Sequence, residues 1–171
     1  MPESIDILIL MGSDSDWEVM SEAAIMLERF GILFEARVSS AHRTPERTLR
    51  IVREAEKKGC KVIIAGAGAA AHLAGVVAGH TLLPVIGIPL NATSLQGIDA
   101  LLATVQMPAG VPVASMAIGK AGATNAAIFA LQILASNNPA IAQQLIDYRQ
   151  KMAQGVESKD ERLQERRAAN K

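Results

Sequence analysis

Five short apolar runs punctuate the chain, over residues 5–11, 33–38, 61–65, 84–88 and 112–118, and a helical pattern follows each one. Strands that alternate with helices lie parallel and are joined by right-handed crossovers. Both faces of such strands are covered, so they read as nearly continuous apolar stretches. The run at 5–11, whose one charge is Asp6, is of this kind. The pattern predicts an α/β fold: a three-layer α/β/α sandwich around a five-stranded parallel sheet. One domain is expected over residues 1–155, including extra C-terminal helices, with a charged tail over 156–171.

The helical stretches fall at residues 17–30, from the opening at 44–47 to 57, from the turn at 66–72 to 82, and at 98–105, 123–135 and 140–154. In the first, Val19, Ala23, Met26, Leu27 and Phe30 recur at helical spacing, and Gly31 stops the helix. The second opens with Thr44 as cap and Pro45 in the first turn.

Half the residues are apolar but only five are aromatic, so Ala, Val, Ile, Leu and Gly carry the core. That composition suits close packing of helices on a sheet. A formal charge of zero argues against a general nucleic-acid-binding surface, which needs a basic excess. Cys60 is the only cysteine, so no intrachain disulfide forms. That suits a cytoplasmic setting, and Cys60 reads as a small residue at a strand start. Met1-Pro2-Glu3-Ser4 lacks the basic start of a signal peptide. Residues 62–98 contain no Asp, Glu, Lys or Arg, but Pro84, Pro89, His72 and His80 interrupt them. A spanning helix wants about 20 strongly apolar residues, so a buried strand–helix–strand is expected here and no membrane contact.

Ligands of open parallel sheets sit at the carboxyl ends of the strands. The turns after the first three strands would lie along one such edge. The second turn, Val38-Ser39-Ser40-Ala41-His42-Arg43-Thr44-Pro45-Glu46, places an imidazole suited to proton transfer beside a permanent cation suited to phosphate. Read alone, it equally suits a helix-capping loop whose His42 and Arg43 face water. The first turn, Gly12-Ser13-Asp14-Ser15-Asp16, offers hydroxyls and free N–H groups at a helix start, with Asp16 able to accept from ribose hydroxyls. Helix capping by Ser13 or Ser15 is the plainer reading, and it does not exclude a ligand.

The third turn, Gly66-Ala67-Gly68-Ala69-Ala70-Ala71, fits the dinucleotide pattern G-x-G-x-x-G/A. That pattern also wants an acid about 20 residues on, and there is no acid between Glu56 and Asp99. Its glycines instead read as letting a ligand approach the backbone closely. His72 is a helix-face residue or a pocket wall, and His80 is structural. No residues show metal-ligand spacing, and no nucleophile elbow appears. The residues alone point to a phosphorylated, ribose-bearing small molecule, with His42 as acid or base and Arg43 as anchor.

Five stretches then carry a resemblance: Met11-Gly12-Ser13-Asp14-Ser15-Asp16-Trp17; Ser39-Ser40-Ala41-His42-Arg43-Thr44-Pro45; Ile64-Ala65-Gly66-Ala67-Gly68 with Ala70-Ala71-His72-Leu73; Val105-Gln106-Met107-Pro108; and Ala117-Ile118-Gly119-Lys120-Ala121-Gly122. In this order the chain resembles the bacterial (class I) 5-(carboxyamino)imidazole ribonucleotide mutases of de novo purine synthesis, an isomerase family once classed as carboxy-lyases. It departs from them at Ala69, where the family usually has Gly, and at Ala74, where it usually has Pro.

The resemblance implies a flavodoxin-like fold and transfer of a carboxylate from the exocyclic nitrogen to carbon 4 of the aminoimidazole ring, without metal, ATP or organic cofactor. It implies His42 as general acid/base. It implies Gly12, Ser13, Asp16 and Arg43 as nucleotide-binding residues, with Asp16 towards ribose and Arg43 towards phosphate. Ser40, Ala41, Ala67, Gly68, His72 and Leu73 are implied as walls around the migrating carboxylate. A homo-octamer is implied as well. Two other readings stand beside it: an aminoimidazole ribonucleotide carboxylase using carbon dioxide directly, and a flavodoxin-like nucleotide- or flavin-binding module.

Overall fold

The computed structural model describes residues 4–169. The reading of Met1-Pro2-Glu3 as no signal peptide, and the last two residues of the tail, lie outside the described residues. The apolar runs form β1 (Ile7–Met11), β2 (Phe34–Val38), β3 (Val62–Gly68), β4 (Val85–Leu90) and β5 (Ala114–Ser115). The helices are α1 (Trp17–Arg29), α2 (Pro45–Lys57), α3 (Leu73–Ala78), α4 (Ile98–Val105), α5 (Lys120–Ala135) and α6 (Pro139–Ala169). The sheet order is β2-β1-β3-β4-β5 and every neighbouring pair is parallel, as the alternation predicts.

Strand alternation sorts the side chains onto two faces. Leu8, Leu10, Ile63 and Ala65 pack with Ile51, Val52 and Ala55 of α2 and with Leu73, Ala74 and Val77 of α3. On the opposite face, Met20 of α1 fills the space above Gly66. All five residues of β1 are buried. Each such Leu or Ile contributes about 1.5–3 kcal/mol by leaving water. The central strands therefore hold the sheet edge that carries the turns.

Several elements differ from the sequence reading, among them α5, which starts at Lys120 rather than at residue 123. β3 runs three residues beyond the expected end, because β4 continues to pair with it as far as Gly68↔Leu90. α3 stops at Ala78 rather than at residue 82: Nδ1 of His80 donates to the Val76 carbonyl at 2.8 Å, satisfying a group the helix end leaves bare. His80 is thus structural, just past the helix. β5 is two residues long rather than seven. Continuing its register brings Ala117 opposite Pro89, which has no N–H to offer.

A further difference is α6. The chain divides into two compact units, Met1–Ile133 and Leu134–Lys171. The first holds the sheet, α1 to α4 and most of α5; the second holds the end of α5 and α6. Asn138 opens α6, its Oδ1 accepting from the N–H groups of Ala140 and Ile141 at 3.1 and 3.3 Å. The helix passes through Gly155, where the sequence suggested an end, and continues to Ala169. Gly155 does not adopt a left-handed conformation, so it costs the helix about 1 kcal/mol without stopping it. Every residue over 149–169 is exposed. Among the described residues, no helix is long and apolar enough to cross a membrane.

Candidate functional site

The turns after β1, β2 and β3 meet at one cavity of about 430 Å³, within the size range of small-molecule sites. Gly12, Ser13, Asp16, Ser40, Ala41, His42, Arg43, Ala67, Gly68 and Leu73 line it. His72 does not line it but bonds to His42, which does. The structure therefore gathers every site residue named from the sequence. Ser15, Ala69, Ala70 and Ala92 line the cavity too.

After β1 the chain makes a single 3-10 turn (Asp14–Asp16) before α1. Ser13 caps this turn: its Oγ accepts from Ser15 N–H at 3.4 Å, while Asp16 Oδ2 accepts from Ser13 N–H at 2.9 Å. The Ser15 hydroxyl donates to Ser13 Oγ at 2.9 Å. Capping is thus real, and it also orders two hydroxyls at the cavity. Burial pushes the Asp16 carboxyl above its ordinary pKa; the N–H groups of Ser13 and Gly12 oppose the shift and the Asp14 charge adds to it.

After β2, the buried Ser39 fixes the turn onto α2, its Oγ 2.8 Å from Thr48 Oγ1. Thr44 occupies the cap position of α2 but makes no side-chain cap bond. Its hydroxyl donates instead to the Ser40 carbonyl at 3.0 Å. That bond tightens the turn that presents His42. Arg43 N–H donates to Ser40 Oγ at 3.2 Å. Its guanidinium forms no ion pair among the described residues, which leaves its fork open to an anion.

After β3 the turn proper is residues 69–71, since 66–68 belong to the strand. Two of its glycines also serve packing. A Cβ on Gly66 would lie 2.2 Å from Met20 Sδ, and one on Gly68 2.3 Å from Ala92 Cβ. Ala69 adopts a left-handed φ of 51°, one of two non-glycine residues to do so among those described. His72 then takes the cap position of α3 and points its Nδ1 at Nε2 of His42, 2.9 Å away. The two rings stand edge to face at 82°.

Sequence reasoning missed two features here. Ala92 follows β4 in a polar loop and carries no motif; its place at the cavity comes from the missing side chain of Gly68. The His42–His72 bond joins residues 30 positions apart, and no local pattern announces it. The arrangement can bind an anion through Arg43 and the first turn, move a proton through an imidazole, and enclose an uncharged group against alanine walls.

The family model described as AIR carboxylase matches residues 6–155. The chain is 52% identical over 153 residues to an N5-carboxyaminoimidazole ribonucleotide mutase of Brucella melitensis, covering 90% of this chain and 94% of that protein. A protein of the same name from Pyrococcus horikoshii is 52% identical over 157 residues, covering 92% and 88%. Among solved structures, Treponema denticola PurE matches with a TM-score of 0.84 at 31% identity, covering 92% of this chain and 97% of that one.

Proposed function

The chain belongs to the AIR carboxylase family, and from that membership we propose that it is the isomerase of purine biosynthesis that turns 5-(carboxyamino)imidazole ribonucleotide into 4-carboxy-5-aminoimidazole ribonucleotide. The names of its half-identical relatives support this reading. The observation that carries it to the residues is the convergence of three turns on one cavity, with an imidazole, a guanidinium that forms no ion pair among the described residues and an alanine wall together.

In this reading Arg43 and the hydroxyls of the first turn hold the phosphate, Asp16 the ribose, and Gly12 lines the site beside them. The N–carboxylate bond breaks, releasing carbon dioxide and leaving an electron-rich ring whose nitrogen gains a proton. Ser40, Ala41, Ala67, Gly68, His72 and Leu73 keep the carbon dioxide beside carbon 4, an entropic advantage over recapture from solution. Carbon 4 attacks it, and the proton on that carbon must leave. His42 gives the first proton and takes the second, so the reaction is balanced without another reactant. Such help is worth about 10²–10⁴-fold.

The same reading extends to the molecule's setting: a cytoplasmic protein acting as a homo-octamer, with residues 1–155 as the functional domain and 156–171 as an appendage. The lone, buried Cys60 suits a reducing compartment.

The test is turnover of the carboxyamino substrate without bicarbonate or ATP. Formation of the 4-carboxy product is expected. Product formed only from aminoimidazole ribonucleotide and carbon dioxide would instead assign a carboxylase. His42→Asn should lower kcat by at least about 10²-fold while nucleotide binding, read by calorimetry, persists. Arg43→Ala should raise KM about tenfold, the worth of one charge-assisted hydrogen bond. Wild-type kinetics in either variant would remove that residue from its role.

A further inference from the structure

We infer that the methyl group of Ala69 is a wall that holds carbon dioxide in the cavity between its release from nitrogen and its capture by carbon 4; the inference rests on the transfer reaction proposed above. Among the described residues, a left-handed φ is adopted by Gly31, Gly59, Gly97, Gly110 and Gly119 and by two residues that are not glycine, Gln96 and Ala69. Glycine takes that conformation freely, whereas an alanine is strained there. Neither the five glycines nor Gln96 lines the cavity; Ala69 does. The chain thus keeps a strained residue at the site, where a glycine would relieve the strain. Strain retained in this way points to a task for the side chain.

Local bonds hold the backbone in this shape. The Ala69 carbonyl accepts from Ala71 N–H at 2.8 Å, and the Ala70 carbonyl accepts from His72 N–H at 2.8 Å, two successive tight turns between β3 and α3. Alanine has no polar atom with which to offset the strain, as Asn and Asp do. What it adds over a glycine is one methyl group. That methyl extends a wall made by Ala67, Ala70, Leu73 and Ala92, whose side chains carry no polar atom. Carbon dioxide is small and uncharged, so on this side it is held by how well the space is filled. A gap of one methyl lets water in and carbon dioxide out. Escape leaves aminoimidazole ribonucleotide, its nitrogen having gained a proton, and loses the carboxyl carbon to solvent. Capture by carbon 4 completes the transfer, and the two outcomes compete in every turnover.

The experiment follows the carboxyl carbon. The carboxyamino nucleotide, isotopically labelled in its carboxylate, is turned over in buffer containing unlabelled bicarbonate. Label kept in the 4-carboxy product, and aminoimidazole ribonucleotide formed above an enzyme-free blank, give the ratio of carbon released to carbon transferred. Ala69→Gly should raise this ratio about fourfold, the scale of one buried carbon group. KM should stay within about twofold, since no bond to the nucleotide is lost. Glycine suits a left-handed φ, so this variant folds. Ala69→Ser keeps the Cβ, and its ratio should stay within about twofold of wild type. An unchanged ratio in Ala69→Gly, or a rise as large in Ala69→Ser, would overturn the inference. A wild type that forms no 4-carboxy product from this substrate would instead remove the proposed reaction, a failure seen before any variant is compared.

Discussion

Ala69 shows how one residue departs from what its position asks for. A left-handed φ costs an L-residue about 1–2 kcal/mol, against about 0.5–1 kcal/mol for the freedom a glycine loses on folding. Ala69 sits at φ 51° between a strand clamped by Ala92 and the helix that holds His72. Its neighbours fix the turn, so the alanine bears the strain. Ala69→Gly is therefore expected to stabilise the protein by about 0.5–1 kcal/mol, read as a rise in the denaturation midpoint. A lower midpoint would mean that the methyl group contributes packing worth more than the strain. The residues that bond locally, such as Ser13 with Asp16, were legible in the sequence because capping is a short-range pattern. Ala92 and the His42–His72 bond were not, because both arise where turns meet that only the sheet brings together.

At the scale of elements, the sequence read well wherever burial decides. β1 and α1 fall within two residues of expectation, since their apolar residues must face a core. It read poorly where a ladder depends on a distant partner: β3 is lengthened by β4, and β5 is shortened opposite Pro89. Polar pairing between elements was equally invisible. Glu35 on the edge strand β2 takes Lys58 Nζ, just past the end of α2, at 2.6 Å and Arg37 Nη1 of its own strand at 2.6 Å. The Lys58 bond first and the Arg37 bond second hold its carboxyl below the ordinary 4.5. A carboxylate with a depressed folded pKa contributes stability above its unfolded pKa and loses it as pH falls through the folded one. Glu35→Gln should therefore cost about 1 kcal/mol at pH 7, at the upper end for partly exposed pairs. The difference from wild type should shrink as pH drops below 4.5. A difference that stays constant as pH falls through the acid transition of the carboxyl would show that Glu35 acts through packing rather than charge.

At the scale of the whole molecule, the question is which part of the chain encodes assembly. The family match ends at residue 155, and relatives of 52% identity align over 153 and 157 residues. The octamer proposed for this chain is expected to be encoded within the span that the family model covers. Beyond it α6 continues for another fourteen residues with every side chain exposed. Val156 and Leu163 are its only large aliphatic residues there, and acidic and basic residues alternate around them. A solvated helix of this kind is held by local bonds, such as Gln164 Nε2 to Asp160 Oδ1 at 3.2 Å, which contribute only about 0.2–0.5 kcal/mol per pair. It adds little to the stability of the sheet. Two measurements follow. Light scattering of the full chain should give the mass of eight 18.1 kDa copies. Removal of residues 156–171 should leave that mass, the turnover of the carboxyamino nucleotide and the unfolding midpoint unchanged. A smaller mass for the full chain would remove the octamer from the proposed function. A smaller mass only after truncation would make the exposed end of α6 an assembly element of this chain, held by Val156 and Leu163 against a second copy.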